Sequence, residues 1–422
     1  MVRVQRTVRP RVRKLPIKLR YLGLDSNELE QRDKLKMRIK RVHRMILRIS
    51  NNHVIDIDRK NVIILQLTEL KRKYIVAYGD LVRWIEPVIP KRPSIRLSIG
   101  YILSIPHRSK LMFGFQAYHL VRLLEALKIP DKIVLSNRGS FTGEEILLLL
   151  LHRFRTIKTL DDMSHYIFNR DNTQLSRAIK WIVRYLFNIH HDLLHDNLAY
   201  WYPLFPQFAR AIQQRLEDMH NIEFDDGHMN IIFGFLDATF WRGCRPGGGP
   251  NNDGSRNDQQ IQEDFYSGYI GTHGVKFQTV SGPNGMVLDM HGPISARRCD
   301  VDIYNESRIN QRLRELQMNC ITKYKIYTDQ IYPTGEFTVK CDQPIYKKVR
   351  VFIEMDYAAT SNLFPYFNYK RNQKVLQEGN NLERSFLVAT LLRNCHSTLY
   401  GNVTSRSFHI SPPTLESYMQ VL

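Results

Sequence analysis

FGFLDATF, residues 233–240, decides the fold expected for this chain of 422 residues. Its apolar side chains predict a buried strand that carries one acid, Asp237, with no basic residue beside it. An aspartate in this position is either a turn former at the end of a strand or a group kept for chemistry. The choice between the two depends on which other acids the fold brings to it.

Strand-like segments dominate the chain beyond His220. They are rich in aromatic and β-branched residues and separated by short turns: NIIFGFLDAT (230–239), EDFYSGYIG (263–271), GVKFQTVSG (274–282), GMVLDMHG (285–292) and KYKIYTD (323–329). The Pro-Asn-Gly at 283–285 is a hairpin signal, and residues 302–317 have a helical pattern. Three meander strands, a helix and a further strand predict a mixed α/β sheet.

Asp329 ends the last of these strands, as Asp237 ends the first. Neighbouring strand ends lie close together, so the two carboxylates can meet although 92 residues separate them. Such a pair repels unless a cation lies between them, and Mg²⁺ prefers oxygen ligands. Glu354, in the helix-compatible stretch KKVRVFIEMDYAA (347–359), offers the third acid of a two-metal site. Glu336 and Asp342, in a Gly/Pro-bracketed loop, are poorer candidates.

A helical region precedes the sheet. TGEE (142–145) is a capping-box pattern, TLDD (159–162) predicts a second helix start, and DNTQLSRAIKWIVRYLFN (171–188) predicts a third helix. Three short helices within about fifty residues suggest a helix-turn-helix unit. Three basic residues share one face of the third helix, which is either a DNA-contacting face or an ordinary solvated one: Arg177, Lys180 and Arg184.

The first fifty residues are strongly basic. They hold sixteen Lys and Arg against four acids, in a chain whose net charge is +20, and such a segment attracts polyanions. Residues 27–50 predict an amphipathic helix whose polar face is basic, either solvated or in contact with phosphates. The N-terminal arm resembles an organellar transit peptide in its Arg content but lacks serine, so a nuclear-import or DNA-tethering arm is favoured.

Several further patterns bound the function. The five cysteines are scattered without a CxxC pair, which favours free thiols in a reducing compartment. The longest apolar run, ILLLLL (146–151), is too short to span a membrane. His191 and His195 have a spacing that can bind zinc, but capping or surface roles are favoured and no metal is assigned there. Residues 86–110, rich in proline, predict an irregular connection or short strands.

Four longer segments carry a resemblance to a known family. In order and in character, they resemble the catalytic domain of PIF/Harbinger-type DDE transposases over about residues 226–375: GFLDATFWRGCRP, DFYSGYIGTHGVKFQTVSGPNGMVLDMHGPISARRCDVDIYNES, YTDQIYP and VRVFIEMDY. The tail LVATLLRNCHSTLYGN (387–402) is similar to a C-terminal segment of that family. The chain departs from the family pattern at Cys299-Asp300, where His-Asp is usual.

The resemblance implies an RNase H-like fold and a metal-dependent enzyme that cuts and joins DNA strands at transposon ends. Asp237, Asp329 and Glu354 match its catalytic and metal-binding triad, which implies two Mg²⁺ or Mn²⁺ ions. Basic residues near the sheet are candidates for holding the phosphate backbone: Lys276, Arg297, Arg298, Lys347, Lys348 and Arg350. The resemblance also implies the partners: double-stranded DNA of the element ends and of the target, and a Myb-like helper protein. A homo-oligomer in the nucleus, not bound to a membrane, is expected.

The expected organisation is an α/β protein with an RNase H-like mixed-sheet catalytic domain after a helical, helix-turn-helix-like DNA-binding region. The predicted regions are a basic arm and helix (1–50), a stretch of unclear structure (51–135), the helical region (136–225), the catalytic domain (226–375) and a helical C-terminal segment and tail (376–422). Two other functions remain open: a domesticated, non-cleaving DNA-binding protein derived from such a transposase, and, with less support, an RNase H-like nuclease acting on RNA.

Overall fold

The computed structural model describes eight stretches of the chain: residues 26–52, 55–85, 97–136, 139–220, 231–245, 258–340, 344–372 and 382–419. Two compact units divide the chain, Met1–Lys91 and Arg92–Leu422. The predicted N-terminal arm (1–25) and most of the Gly/Asn-rich segment after β3 lie outside the described residues.

Two long helices make up the described part of the first unit, α1 (Ser26–Ser50) and α2 (Ile57–Ile85). The amphipathic pattern of residues 27–50 is confirmed. Its apolar stripe is buried or half-buried: Leu35, Ile39, Val42, Ile46 and Ile49. The basic residues between them are exposed: Lys36, Arg38, Lys40, Arg41 and Arg44. The sequence periodicity alone therefore sorts the two faces of this helix.

In the described residues of the second unit, eight α-helices and a small hairpin come before the main sheet. The helices are α3 (Ile99–Ser104), α4 (Pro106–Phe113), α5 (Ala117–Ala126), α6 (Gly143–Arg155), α7 (Leu160–Tyr166), α8 (Asn172–His190), α9 (Leu198–Trp201) and α10 (Phe205–His220). The hairpin pairs β1 (Lys132–Val134) with β2 (Ser140–Thr142). The predicted third helix is confirmed as α8, which buries Leu175, Ile182 and Leu186.

A six-stranded sheet and further helices follow. The strands are β3 (Ile232–Arg242), β4 (Tyr266–Ser267), β5 (Thr272–Ser281), β6 (Val287–Ser295), β7 (Lys325–Thr328) and β8 (Thr338–Lys340). The helices are α11 (Asp258–Phe265), α12 (Asp300–Glu306), α13 (Ile309–Leu316), α14 (Pro344–Leu363), α15 (Leu382–Tyr400), α16 (Val403–Ser407) and α17 (Leu415–Met419). The predicted mixed α/β class is therefore confirmed.

The strand β3 lies at the centre of this sheet. It pairs antiparallel with β5 on one side and parallel with β7 on the other, and β5 and β7 pair in turn with β6 and β8. The hairpin predicted at Pro283–Gly285 joins β5 to β6. Its turn closes with a hydrogen bond from the Gly285 amide to the Gly282 carbonyl (2.9 Å), and Gly285 has φ +68°, which glycine adopts without strain.

One hydrophobic core joins the helices to the sheet. Leu147 of α6, Leu175 of α8, Phe233 of β3, Phe277 of β5 and Leu392 of α15 all belong to it. The run ILLLLL lies at its centre with every side chain fully buried. On the other side of β3, a smaller cluster unites side chains of α10, β3, β7 and α14: Ile212, Leu216, Ile232, Phe235, Tyr327 and Phe352, with Phe408 against them. The sheet is therefore covered on two sides, as a mixed sheet with a parallel part requires.

Three local predictions are wrong. Residues 99–110 are helical rather than irregular or extended, because Pro106 occupies the first turn of α4, where the missing amide hydrogen is not needed. Residues 263–265 end the helix α11, and only Tyr266–Ser267 of that predicted strand is extended. The capping box at 142–145 is half formed: Thr142 accepts from the Glu145 amide, but the Glu145 carboxylate pairs with buried Arg170 (2.7 Å).

No helix in the described stretches is both long enough and apolar enough to cross a membrane.

Candidate active site

Asp237 lies in the middle of β3, at the point where the pairing with β7 stops. The strand is buried from Ile232 to Leu236, Asp237 itself is half-buried, and β3 then continues to Arg242 paired only with β5. The sequence placed this aspartate at the end of a strand, which is wrong. Asp237 instead lies where the buried part of this central strand, paired on both sides, comes to an end.

Asp329 directly follows β7, and the register brings it to Asp237. Leu236 is paired with Thr328 in the parallel ladder, so the next residues along the two strands are Asp237 and Asp329. Adjacent strands lie about 4.8 Å apart. The two acids are therefore neighbours at the carboxyl edge of the parallel strands, as their positions in the sequence predicted.

Short hydrogen bonds orient both carboxylates. The Asp237 carboxylate accepts from the Ala238 amide (2.9 Å), and that of Asp329 accepts from the Gln330 amide (2.7 Å). The carbonyl of Asp329 also accepts from the Tyr332 amide (3.2 Å), which folds the chain back in a turn after β7. Each acid is thus held by the backbone that follows it rather than left to rotate freely.

Glu354 lies on α14, the helix that packs against β3. Its side chain is outside the described part of the structure, so the third member of the triad stays a prediction. Its backbone position is one helical turn before Tyr357. The Tyr357 hydroxyl donates to the Asp237 carbonyl (2.7 Å) and accepts from the Thr279 hydroxyl (2.7 Å). Tyr357 therefore fixes this part of α14 to the strand that carries the first acid.

Tyr332 is fully buried beside the two acids. Burial, and then the negative charges of Asp237, Asp300 and Asp329, raise its pKa. Negative charge thus converges on this edge of the sheet, where Asp237 and Asp329 offer hard oxygen ligands of the kind that suits Mg²⁺. Among the described residues no three His, Cys, Asp or Glu side chains are close enough to hold a metal ion, and the Glu354 side chain is not among those described.

Lys276 and Asp300 form an ion pair beside this edge. The Lys276 ammonium donates to the Asp300 carboxylate (2.8 Å) and to the Arg298 carbonyl (2.8 Å). Only 15 % of the Lys276 side chain is exposed. These contacts engage Lys276 within the protein and do not support its expected role in holding phosphate. They tie β5 to the first turn of α12.

The predicted DNA-contacting residues differ in their surroundings. Arg177, Lys180 and Arg184 are all exposed on α8. Arg297 and Arg298 are also exposed, but they form ion pairs with Glu263 (3.4 Å) and Glu306 (3.1 Å). The last group lies on α14 with side chains outside the described residues: Lys347, Lys348 and Arg350. The exposed face of α8 is thus available to a partner, and its role in DNA binding remains a prediction.

Sequence reasoning missed both tyrosines of the site. Tyr357 could have been found from its spacing, because a residue three positions after Glu354 on a helix lies on a neighbouring part of the same face. Tyr332, three residues after Asp329 in YTDQIYP, had no such signal, because a tyrosine in a turn before a proline has many possible roles. The structure gives both of them contacts at the acids.

Comparison with known proteins gives a match to a family model. No curated protein and no solved structure matches this chain. The family model described as DDE superfamily endonuclease matches residues 254–422, which is less than half of the chain and includes Asp329 and Glu354 but not Asp237. This match supports the DDE superfamily for that part of the chain, and not the PIF/Harbinger subtype in particular.

Proposed function

We propose that this protein is a DDE transposase of the PIF/Harbinger type that cuts and joins DNA strands at transposon ends. The observation that carries the proposal is the parallel register of β3 and β7, which brings Asp237 next to Asp329. Two carboxylates at the edge of a mixed sheet, with a third acid on a helix tied to the same strand, are what two-metal phosphoryl transfer needs. The match to DDE superfamily endonucleases supports the same reaction class.

The meander of β3, β5 and β6 followed by the parallel strands β7 and β8 supports the RNase H-like arrangement that the sequence resemblance implies. The helix-turn-helix role of α6, α7 and α8 is part of the proposal. Its support is the exposed basic face of α8. Double-stranded DNA as the partner, a nuclear location, a homo-oligomer that pairs two DNA ends and a Myb-like helper protein belong to the same proposal.

In the proposed mechanism, Asp237, Asp329 and Glu354 would hold divalent ions, which would supply a lower pKa for the attacking water and charge stabilisation for the leaving oxygen. Tyr357 keeps α14 against β3, so that the position of Glu354 is set relative to Asp237. The buried Tyr332 excludes water from the protein side of the acids. In the cleavage step a water oxygen bonds to phosphorus, the bond to the 3′-oxygen breaks, and the leaving oxygen takes up a proton.

Nicking of a supercoiled plasmid that carries candidate element ends tests this proposal. Wild type is compared with Asp237→Ala, Asp329→Ala and Glu354→Ala, in Mg²⁺ or in EDTA. Glu336→Ala is the matched control, because Glu336 is an exposed acid of the same domain that pairs with Arg314 (3.1 Å). We expect Mg²⁺-dependent nicking by wild type and by Glu336→Ala, and none by the three triad variants.

DNA binding is measured on the same variants by fluorescence anisotropy. Binding that persists in the triad variants shows that they remain folded and that the lost step is the cut. If wild type binds DNA and never cuts it, with native ends and a helper protein supplied, the transposase proposal is wrong. The chain would then be better described as a domesticated DNA-binding protein.

A further inference from the structure

A basic cleft is lined in part by α14, the helix that carries Glu354. We call it the arginine cleft. It has a volume of about 560 Å³ and is bounded by the second half of α14, by α15, by the segment Gly401–Arg406 and by the end of α6. Clefts of this size are in the range that binds ligands.

Three arginines line the arginine cleft: Arg155, Arg393 and Arg406. None of the described residues that line it is acidic. The rest of the lining is small or neutral, including Ala358, Ala359 and Ser397. A concave surface with one sign of charge concentrates the field and attracts ions of the opposite sign. The chemistry of the cleft therefore selects an anion.

Two of the three arginines are fixed within the wall of the cleft, and the third is exposed. Arg155 donates to the carbonyls of Leu363 (2.7 Å) and Asn362 (3.2 Å), at the end of α14. Only 2 % of Arg393 is exposed, so its guanidinium belongs to the wall of the cleft. Arg406, by contrast, is exposed and forms no ion pair with a described residue. Arg155 and Arg393 are thus fixed in the wall, and Arg406 lies exposed at the opening of the cleft.

The lowered pKa of His396 is a second sign of the positive charge around the cleft. Its ring lies in the cleft wall beside Tyr400, with the ring centroids 4.4 Å apart. Burial, and then the charges of Lys110 and the two wall arginines, lower its pKa to about 4. The imidazole is therefore neutral near pH 7, and it adds a polar group to the wall without adding to the repulsion between the arginines.

The position of the cleft suggests which anion it takes. Met355, which lines the cleft, directly follows Glu354, and Ala358 is one turn beyond it. Because α14 carries both Glu354 and residues of the cleft, a DNA strand engaged at Asp237, Asp329 and Glu354 would bring its phosphates close to this helix. Arginine matches phosphate oxygens well, because its planar group donates two parallel hydrogen bonds.

We infer that the arginine cleft holds a backbone phosphate of the DNA strand, beside the phosphate at which the strand is cut: Arg406 contacts this phosphate, and Arg155 and Arg393 add positive charge from the wall. This inference rests on the proposed function for the identity of the DNA. Arg155 and Arg393 also contribute to the structure of the wall, so the exposed Arg406 is the residue that separates binding from folding.

The test uses the full chain with Asp329→Asn, which is expected to bind without cutting. A fluorescent DNA duplex is titrated at several NaCl concentrations, with Arg406→Ala, Arg406→Lys or Lys132→Ala added. Lys132 is the matched control, because it is an exposed cation on the β1–β2 hairpin. One lost phosphate contact should weaken binding several-fold and reduce the salt slope by about 0.9. We expect this for Arg406→Ala only, with Arg406→Lys largely restoring the slope.

A second arm distinguishes DNA from a free anion. Inorganic phosphate is titrated against the bound duplex at constant ionic strength. If inorganic phosphate displaces DNA equally from the parent protein and from the Arg406→Ala variant, free phosphate and DNA do not compete for Arg406, and the cleft holds no DNA phosphate there. If NMR of His396 shows saturable phosphate binding that the duplex does not prevent, the cleft is a site for small anions, and the inference is overturned.

The inference and the proposed function fail in different ways. Unchanged DNA affinity and salt slope in Arg406→Ala, in a protein whose wild type nicks DNA, refute the cleft and leave the transposase proposal standing. A selective loss in Arg406→Ala, in a protein whose wild type never nicks DNA, supports the cleft and refutes the cutting activity. No DNA binding by any variant overturns both.

Discussion

Replacing Tyr357 with Phe removes one oxygen atom and, with it, the hydrogen bonds that join α14 to Asp237 and Thr279. The tyrosine hydroxyl donates to the Asp237 carbonyl and accepts from the Thr279 hydroxyl, both at 2.7 Å. A hydrogen bond of this kind contributes about 1 kcal/mol net to stability. The variant should therefore lose about 1–2 kcal/mol of unfolding free energy, while the aromatic ring keeps its packing.

Activity should fall by more than this loss of stability explains. Glu354 is one turn from Tyr357, so a helix that loses this link places its third acid less accurately relative to Asp237. A misplacement of about 1 Å at a reacting centre costs on the order of a hundredfold in rate. We expect Tyr357→Phe to reduce the rate of Mg²⁺-dependent plasmid nicking by about ten- to a hundredfold, with DNA binding unchanged.

Thr279→Val is the matched control. It removes the hydrogen bond that Tyr357 accepts and keeps the one that Tyr357 donates to Asp237, at a nearly constant side-chain volume. Its unfolding free energy, measured in urea, should fall by about 1 kcal/mol, and its nicking rate should stay within a few-fold of wild type. A folded Tyr357→Phe protein that nicks at the wild-type rate would refute the positioning role. Equal losses of activity in both variants would assign the effect to stability alone.

Three other predictions concern the frame around the site. Arg170→Ala leaves the buried Glu145 carboxylate without its cation and should lower the unfolding free energy in urea by about 3–5 kcal/mol, whereas replacing both residues with apolar ones should recover most of it. Burial lowers the pKa of His152 from 6.5 to about 4, so the unfolded chain binds this proton first and stability should fall by up to about 3 kcal/mol as the pH drops from 6.5 to 4. His152→Phe should flatten this decline, and an unchanged slope would contradict it. Gly285→Ala should lower the melting temperature, because its Cβ would overlap the Asn402 side chain at a backbone φ of +68°.

The sheet and its two aspartates could be predicted from the sequence because both depend on short-range patterns. Apolar runs bounded by turns mark β3, β5, β6 and β7, and the periodicity of α8 marks its buried face. Once β3 and β7 are parallel neighbours, the meeting of Asp237 and Asp329 needs only the alignment of two strand ends. The pairing of β3 with β7 is the single long-range feature that this prediction requires.

The features that could not be predicted depend on competition between partners far apart in the chain. Glu145 has the right spacing to complete a capping box, but the buried guanidinium of Arg170 offers it a stronger, charge-assisted partner 25 residues away. Phe265 and Tyr266 have β-forming side chains, yet α11 extends through the first of them. Local propensity describes what a segment prefers alone, and tertiary contacts then decide between alternatives of similar free energy.

The shared core fixes the helical region relative to the sheet. Leu175 and Ile182 of α8 are packed in the same hydrophobic core as Phe277 of β5. Sliding or rotating α8 against the sheet would open cavities, which cost about 24 cal/mol per Å³. The exposed basic face of α8 is therefore fixed relative to Asp237 and Asp329, and not carried on a linker. If this face binds DNA, the distance between the bound sequence and the cut is set by the fold itself, so inserting base pairs between them should abolish cutting and not merely slow it.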